Sequence, residues 1–467
     1  MSTSSNFLVV SFPSQGHINP ALQFTNRLVR HGFRVSFLTS TYTLRRLTEF
    51  LPGVTYLSYS DGYDDTGFEL GDGFDRYMME STERGSRCLR EIIRSQSENE
   101  KGFGCVFYTT IAPWVGQVAR SLGVRSVLLW AQPATVLDVY YYYFNGRADE
   151  ITNAGHGLSK EVLLPGLPPL TSQDLPSFFN PGEKHSSGLR VMESHIENLK
   201  QEEDPIVVVN TFDELESEPL RAIEGIKLVA VGPLLPVASA DGGDPSDKSL
   251  GGELSESSRD YVHWLNTKED GSVIYVSFGS LSVLSKPQMQ EMAKGLLGTG
   301  RPFLWVVRHG SKGDNERAGE SSISAPEELE LEGKGMIVPW CSQLEVLSHS
   351  LVGCFLTHCG WNSTIEGLIC GVPMVAFPQW TDQLTNAKLV VDVWKIGVRL
   401  SKNETGIVEA ENIRDCLETI LGGGKKGEII KGNANKWKSL AREAAREGGS
   451  SDKNLENLLR KLVALNE

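Results

Sequence analysis

The chain has 467 residues, a formal net charge of −14 and seven cysteines. This length exceeds one ordinary hydrophobic core and predicts two domains of roughly 200 residues each. The acidic charge argues against nucleic acid or an anionic membrane as a main partner, and the irregularly spaced cysteines fit a reducing cytosol better than a disulfide framework. Because the first residues lack the charge and apolar length of a signal peptide or membrane span, we expect a cytoplasmic protein.

The N-terminal half alternates short apolar runs with helical patterns. Residues 7–12 predict a buried strand, and apolar residues at helical spacing predict a helix that begins near Pro20, because the fixed φ of proline suits a first turn. Gly32 ends this helix, and a strand begins at Val35. Further strands are predicted over residues 104–108, 126–130 and 206–209. This βαβ alternation indicates a parallel sheet covered by helices.

Residues 236–258 interrupt the alternation with a segment rich in Gly, Ser, Asp and Pro, which predicts an exposed linker. Beyond it, strands are predicted over residues 272–278, 303–307, 336–339, 353–357 and 373–377, with a helix over residues 287–297. The polar segment 310–324 predicts a disordered surface loop. These elements indicate a second doubly wound α/β domain. A charged amphipathic helix follows from about Asn433 and is broken near Gly448.

The most informative stretch is residues 340–383, which contains three tryptophans but no lysine or arginine. In it, a strand that ends at Thr357 leads through His358 into a helix that starts near Trp361. A helix N-terminus offers free N–H groups and about half a positive charge, which suits a diphosphate. The stretch resembles, without a gap, the 44-residue signature segment of plant secondary-product UDP-glycosyltransferases. The resemblance extends from residues 13–22 to the C-terminal helix.

This resemblance implies the GT-B architecture, an α/β fold in which two doubly wound Rossmann-like domains face each other across a cleft. Residues 1–240 would form an acceptor-binding domain and residues 259–445 a UDP-sugar-binding domain, joined by a flexible linker over residues 241–258. Residues 446–467 would form a C-terminal helix that packs back on the N-terminal domain. The expected partners are a small-molecule acceptor and the UDP-sugar, and we expect a monomer.

The resemblance also implies the residues that bind the donor. Asn362 and Ser363 lie in the first helical turn, where they could cap the helix or hold the diphosphate. Glu366, one turn later, can accept both ribose hydroxyls, and Trp340 offers a flat face to uracil. The Asp-Gln pair at the end of the segment suits the sugar hydroxyls, and its glutamine points to UDP-glucose. The full set is Ser280, Trp340, Cys341, Gln343, His358, Gly360, Trp361, Asn362, Ser363, Glu366, Trp380, Asp382 and Gln383.

Other enzyme classes lack their motifs in this chain. The absence of a DxD motif predicts transfer that needs no metal, with UDP-glucose as donor substrate and no cofactor. Cys354, His358, Cys359 and Cys370 do not have the spacing of a zinc site. No GxGxxG follows a predicted strand and no Walker A sequence occurs, which argues against a dehydrogenase, an NAD-dependent epimerase or an NTPase.

On the acceptor side, the resemblance implies that His17 is the general base, which suits a side chain that titrates near neutrality. Many relatives orient this histidine with an aspartate five residues before a tryptophan. Here Thr109 occupies that catalytic position, five residues before Trp114. Either another carboxylate replaces the aspartate or the base is weaker. A weaker base matters less for acidic phenols, and hardly at all for carboxylic acids, which ionise near pH 4.

A subgroup of the family shares this threonine and a stretch like residues 130–143. It includes anthocyanin and flavonoid O-glucosyltransferases and enzymes that make glucose esters. We therefore predict an inverting O-glucosyltransferase that forms a β-glucoside on a flavonoid or anthocyanin phenol. The alternative is a glucose ester of an apocarotenoid, indole or phenolic acid. A non-catalytic UDP-sugar-binding protein is disfavoured because His17 is present. The tyrosine run 140–143 and Phe144 could line an acceptor pocket or belong to a helix core.

Overall fold

The computed structural model describes residues 6–68, 73–99, 102–153, 161–180, 186–235, 260–280, 282, 284–307 and 334–465. These residues form two compact units. The N-terminal unit takes the described residues up to 235 and those from 443 onward, and the C-terminal unit takes residues 260–442. The predicted linker over residues 241–258 and the predicted loop over residues 310–324 lie outside the described residues.

The N-terminal unit is built on a seven-stranded parallel sheet with the strand order β3-β2-β1-β4-β5-β6-β7. Its strands are β1 (Asn6–Val10), β2 (Arg34–Ser40), β3 (Val54–Tyr59), β4 (Phe103–Thr109), β5 (Ser126–Trp130), β6 (Ile206–Val209) and β7 (Lys227–Ala230). The order reverses between β1 and β4, where Val10 pairs with Tyr108. In open α/β sheets, ligands bind beyond the carboxyl ends of the strands at such a switch point.

Helices cover both faces of this sheet. They are α1 (Gln15–Arg30), α2 (Thr41–Arg46), α3 (Phe74–Asn99), α4 (Pro113–Ser121), α5 (Ala134–Tyr142), α6 (Ala148–Asn153) and α7 (Ser187–Lys200), with a π-helical turn over Tyr143–Arg147 and short 3-10 turns over Ser177–Phe179 and Pro219–Arg221. Successive residues of β1 point to opposite faces. Leu8 and Val10 join a core with α3, α4, α5 and α7, whereas Phe7 and Val9 join a core with α1.

The C-terminal unit has a six-stranded parallel sheet with the order β10-β9-β8-β11-β12-β13. Its strands are β8 (Val273–Ser277), β9 (Phe303–Val306), β10 (Gly335–Val338), β11 (Val352–Thr357), β12 (Met374–Ala376) and β13 (Gly397–Arg399). The order reverses between β8 and β11, where Ser277 pairs with Thr357. The segments after these two residues therefore leave the sheet side by side.

The helices of this unit are α8 (Asp260–Leu265), α9 (Lys286–Gly298), α10 (Gln343–Ser348), α11 (Trp361–Cys370), α12 (Gln383–Lys388), α13 (Ala410–Leu421) and α14 (Lys425–Ala445), with a π-helical turn over Leu389–Val393. The last helix, α15 (Ser450–Ala464), packs on the N-terminal sheet. Its Leu455, Leu458 and Leu462 are buried with Phe7 and Val9. Among the described residues, no helix is long and apolar enough to cross a membrane.

The predicted fold class, α/β with two doubly wound Rossmann-like domains, is confirmed. One helix start was wrong: α1 begins at Gln15 and contains Pro20, because Ser14 already has the extended backbone of an N-cap. The strands that the sequence pattern missed, β3, β7 and β13, are all edge strands. These three strands are short or half-exposed, so they lack a continuous apolar run. The C-terminal helix also begins earlier than predicted, at Lys425, and is followed by a second helix.

Candidate active site

At the switch point of the N-terminal sheet, a hydrogen bond joins the loop after β1 to the end of β4. The backbone N–H of Phe12 donates to Oγ1 of Thr109 over 2.9 Å, and Thr109 is fully buried. The ring of Phe12 meets the ring of His17 edge to face, with centroids 5.6 Å apart. Thr109 therefore positions the segment that leads to His17, and its hydroxyl is already engaged with the backbone.

His17 is the third residue of α1 and is half-buried. Its Nδ1 is buried and has no hydrogen-bond partner in the described part of the chain. Burial, and then repulsion from the neighbouring His195, lower the pKa of His17 to about 4. The imidazole is therefore neutral at pH 7, as a proton acceptor must be.

No carboxylate takes the place of the missing aspartate among the described residues. Asp61, near the end of β3, accepts hydrogen bonds from the Tyr63 N–H and the Tyr77 hydroxyl. Glu216 accepts bonds at the start of α5, and neither oxygen of Asp138 has a described partner. None of these three buried carboxyls is therefore hydrogen-bonded to Nδ1 of His17.

His195 on α7 was not identified from the sequence. It is buried, and its Nε2 contacts the backbone carbonyl of Thr110, the residue after Thr109. Because a carbonyl only accepts, Nε2 of His195 carries the proton and Nδ1 is left as an acceptor without a described partner. Burial lowers the pKa of His195 to about 4, and the bond to Thr110 opposes this shift.

Phe12 also belongs to a row of aromatic rings that contact one another. Its ring meets that of Tyr77 edge to face at 6.0 Å, and Tyr77 in turn stacks on Phe68 at 4.1 Å. Within the tyrosine run, Tyr140 is buried in the core, whereas the Tyr142 hydroxyl donates to the carbonyl of Ala222 over 2.8 Å. Of the two alternatives left open for the tyrosine run, Tyr140 fits the helix core, and the bond to Ala222 gives Tyr142 a structural role.

In the C-terminal unit, His358 follows β11 at the switch point and is buried between two glycines. A Cβ atom at Gly279 would lie 2.6 Å from its Nε2, and one at Gly360 would lie 2.5 Å away. Burial lowers the pKa of His358 to about 4, so the ring is neutral. Cys359, the next residue, has a φ of 61°, a left-handed conformation that non-glycine residues seldom adopt. Gly360 then occupies the N-cap of α11.

Three residues that were predicted to bind the UDP-sugar lie together between α10 and α11. The Nε2 of Gln343 donates to Oγ of Ser363 over 2.8 Å and to Oε2 of Glu366 over 2.5 Å. The Tyr275 hydroxyl donates to Oε1 of Gln343 over 3.3 Å and therefore fixes which way this amide faces. Asn362 and Glu366, four residues apart, lie on one half-exposed side of α11.

The end of β12 brings together a second predicted pair. Asp382 accepts a bond from Nδ2 of Asn386 over 2.7 Å, and the same amide donates to the Cys359 carbonyl over 2.8 Å. Burial raises the pKa of Asp382, and the bonds from Asn386 and Thr381 oppose this shift. Asn386 therefore connects Asp382, in the segment after β12, to Cys359, in the turn after β11. Oε1 of Gln383 accepts the N–H of Trp380 over 3.2 Å and is also bonded within its own loop.

The remaining predicted residues differ in exposure. Ser280 is exposed in the turn after β8, and Trp340 and Trp380 are half-buried at the ends of β10 and β12. Cys341 is buried, with its Sγ 3.5 Å from the hydroxyl of Tyr275. Trp361 packs in the core against Trp394, so only its backbone at the helix start is placed to meet a ligand.

Sequence reasoning missed Tyr275, Asn386, Thr381 and His195. Asn386 left a signal, because it lies one helical turn after Asp382. Tyr275 and His195 left none, since each sits within an apolar pattern and acts on residues far away in the chain. Among the described residues, no group of three or more His, Cys, Asp or Glu side chains is arranged to hold a metal ion.

Comparisons with known proteins identify the family of this chain. The family described as UDP-glucoronosyl and UDP-glucosyl transferase matches residues 233–441. Phloretin 4'-O-glucosyltransferase of Malus domestica is 51% identical, over 99% of this chain and 98% of its own length. A crocetin glucosyltransferase, chloroplastic, of Gardenia jasminoides is 50% identical, over 96% of this chain and 95% of its own length.

A solved structure of Os79 from O. sativa in complex with UDP superposes with a TM-score of 0.86 at 32% identity, and covers 98% of this chain and 100% of that one. The chain belongs to the UDP-glycosyltransferase family, and its fold is the GT-B architecture predicted for it. It is a UDP-glucosyltransferase.

Proposed function

We propose that the protein is an inverting, UDP-glucose-dependent O-glucosyltransferase that forms a β-glucoside on a plant phenolic such as a flavonoid or anthocyanin. One observation carries this proposal: a neutral, half-buried His17 at the switch point of the unit proposed to bind the acceptor. Two relatives are named as glucosyltransferases of phloretin and crocetin. These names support a small acceptor with conjugated or aromatic character.

The donor is held by the C-terminal unit in this proposal. The N-terminus of α11 faces the diphosphate with its free N–H groups, assisted by His358, Asn362 and Ser363. Glu366, oriented by Gln343, accepts the ribose hydroxyls, and Trp340 stacks on uracil. No positively charged side chain is needed, because the helix N-terminus supplies the compensating partial charge.

The glucose is held by Asp382 and Gln383, whose side chains are fixed by Asn386 and by the backbone before α12. Fixed carboxylate and amide oxygens suit the alternating hydroxyls of a hexose. Trp380 and Ser280, half-buried and exposed respectively, complete this set.

Transfer then needs one proton acceptor. The acceptor oxygen loses its proton to His17 and bonds to the anomeric carbon, while the bond from that carbon to the UDP oxygen breaks and UDP leaves. Attack on the face opposite UDP inverts the α-linkage to β. Thr109 acts through Phe12 as a positioning residue.

Glucose-ester formation is the second candidate. It is favoured because no described carboxylate is hydrogen-bonded to Nδ1 of His17, and a carboxylic acid, already ionised at pH 7, needs no base. The relative named for crocetin also supports it.

The remaining assignments are part of the same proposal. The acceptor domain comprises residues 1–240 with the helix over residues 446–467, and the donor domain comprises residues 259–445 beyond a linker over residues 241–258. The enzyme acts as a cytoplasmic monomer and needs no metal ion. A UDP-sugar-binding protein without activity would bind UDP-glucose but release no UDP.

The test is a UDP-release assay with UDP-glucose against flavonoid phenols and aromatic or apocarotenoid carboxylic acids, followed by mild alkaline hydrolysis of each product. Alkali-stable products identify phenolic β-glucosides. Alkali-labile products identify glucose esters and select the second candidate. UDP-glucose binding without UDP release in either panel would contradict both.

A further inference from the structure

We propose that this enzyme selects acceptors by acidity: it glucosylates carboxylic acids and acidic phenols, and leaves aliphatic hydroxyls unreacted. The inference rests on the proposed function, with His17 as the base. It concerns which acceptor protons this base can remove. It follows from the hydrogen-bond partners and charges around the imidazole ring of His17.

The first step concerns the tautomer of His17. For Nε2 to accept a proton, the neutral ring must carry its hydrogen on Nδ1. That nitrogen is buried and faces no acceptor among the described residues. A buried N–H group without an acceptor loses its bonds to water and gains none in return, so no described residue stabilises the tautomer that can act as a base.

The second step concerns the charge that forms during proton transfer. An imidazolium at His17 would have the same unpaired Nδ1–H and no carboxylate to balance its charge. Thr109 cannot compensate, because its hydroxyl carries no charge, and its Oγ1 accepts the N–H of Phe12 at 2.9 Å. Asp61 and Glu216 accept hydrogen bonds from other donors, and no carboxylate, Asp138 included, is among the groups that shift the pKa of His17.

The third step concerns His195, the titratable neighbour that acts on His17. Its Nε2–H faces the Thr110 carbonyl, so the ring is a neutral neighbour that provides no negative charge. Any protonation of His195 would oppose protonation of His17, and this repulsion lowers the pKa of His17 further. Burial and the neighbouring His195 therefore both favour neutral His17 over its protonated form.

The chemical consequence depends on the acceptor. A carboxylate attacks the anomeric carbon as it stands, and no proton needs to move, whereas a phenol with a pKa near 10 transfers its proton to His17 or loses it to water first. An aliphatic hydroxyl holds its proton about as tightly as bulk water, with a pKa of about 15.7, and needs a strong base at the moment of attack. In each case the bond to the UDP oxygen breaks and UDP carries away the electron pair.

The experiment uses the full-length enzyme with UDP-glucose and acceptors that share one benzene ring: benzoic acid, 4-nitrophenol, phenol, 4-methoxyphenol and benzyl alcohol. UDP release gives kcat/KM between pH 5.5 and 9. We expect kcat/KM to fall as the acceptor pKa rises, to increase for each phenol as the pH approaches that phenol's own pKa, and to be at least about 1,000-fold lower for benzyl alcohol than for 4-nitrophenol.

A kcat/KM that is the same for all phenols, or a benzyl alcohol value within about tenfold of phenol, would overturn the inference while leaving the proposed function intact. Absence of product from every acid and phenol, including the flavonoids, would instead contradict the proposed function.

A pair of variants tests the same point through the protein. Thr109→Asp and Thr109→Asn both keep an oxygen that can accept the Phe12 N–H, but only the first adds a charge. We expect Thr109→Asp to raise the ratio of benzyl alcohol to phenol turnover by about tenfold or more relative to Thr109→Asn. Equal ratios in the two folded variants would contradict the inference. If either variant fails to fold, the acceptor series with the unaltered enzyme decides the question.

Discussion

Gln343 and Glu366 lie on different helices, and the amide nitrogen of the first donates to the carboxylate of the second over 2.5 Å. Because Tyr275 holds the other end of the amide, the nitrogen of Gln343 is the atom that faces α11. The carboxylate is thereby fixed on the half-exposed side of α11, in a position to accept hydroxyl protons from a ribose.

Replacement of Glu366 by glutamine should raise the KM for UDP-glucose by about 10- to 100-fold, because hydrogen bonds to a charged acceptor contribute about 1.5–3 kcal/mol. The value of kcat should change far less, since the ribose is remote from the reacting carbon. Steady-state kinetics at saturating acceptor measures both. The matched control is Glu428→Gln on an exposed position of α14, which should leave KM unchanged. An unaltered KM in Glu366→Gln would contradict the ribose assignment.

Replacement of Gly360 by alanine should weaken UDP binding by about tenfold or more, because the new Cβ would lie 2.5 Å from His358 and force its ring aside. The φ of Gly360 is −58°, so the backbone itself accepts alanine and the effect is steric. Calorimetric titration with UDP measures the Kd.

Gly432→Ala within α14 is the control for this substitution, since nothing lies within 4 Å of its Cβ position. We expect it to leave the Kd unchanged and to stabilise the protein by about 0.5–1 kcal/mol. Identical UDP affinities for the two alanine variants would show that His358 takes no part in binding UDP.

His17→Ala should abolish glucosyl transfer to phenols while leaving the Kd for UDP nearly unchanged, because His17 belongs to the N-terminal unit and the proposed donor residues to the other. Product formation by chromatography and UDP titration give the two values. His263→Ala, an exposed histidine on α8, is the control and should keep full activity. Retained turnover of phenols by His17→Ala would overturn the assignment of the base.

Asp138→Asn should stabilise the protein at high pH. Burial, and then the charge of Glu216, raise the pKa of Asp138 well above its ordinary value. A carboxyl with a raised folded-state pKa contributes its full stability below the unfolded pKa of about 3.9, and this contribution is lost as pH rises through the folded pKa. The uncharged amide has no such loss.

The Tm of Asp138→Asn should therefore rise relative to the wild type as the pH increases from about 4 to about 8, because Asp138 ionises at a lower pH in the unfolded chain than in the folded one. Thermal melts across this range measure the difference. A Tm difference for Asp138→Asn that does not change with pH would mean that folding does not raise the pKa of Asp138.

Excess EDTA should leave the transfer rate unchanged, because the diphosphate is proposed to be held by a helix N-terminus and neutral side chains rather than by a metal ion. The UDP-release assay, with and without added Mg²⁺ or Mn²⁺, measures this. Strong inhibition by EDTA that either cation reverses would overturn the metal-free proposal.

The interior strands could be predicted from the sequence, but of the four edge strands only β10 was predicted, and β3, β7 and β13 were missed. Residues 126–130 and 206–209 were predicted with the bounds that β5 and β6 have, because both strands are covered on two faces and read as continuous apolar runs. The edge strand β3 alternates half-buried and exposed residues, and β13 has three residues. Neither pattern differs enough from a loop.

The candidate site divides in a similar way. Asp382 and Glu366 were predicted because residues 340–383 resemble the signature segment of the family. The bond from Phe12 to Thr109 joins residues 97 positions apart, and the contact of His195 with Thr110 joins residues 85 apart. Such pairings depend on the sheet order, which local sequence patterns do not specify, so the surroundings of His17 required the structure.

The burial of α15 affects the order in which the protein can fold during synthesis. Leu455, Leu458 and Leu462 cover Phe7 and Val9, which the ribosome makes more than 400 residues earlier. Until the last helix emerges, one face of the N-terminal sheet has an uncovered apolar patch. The N-terminal unit therefore stays incompletely packed while the ribosome translates the whole C-terminal unit. A chain terminated before residue 450 would expose that apolar patch permanently.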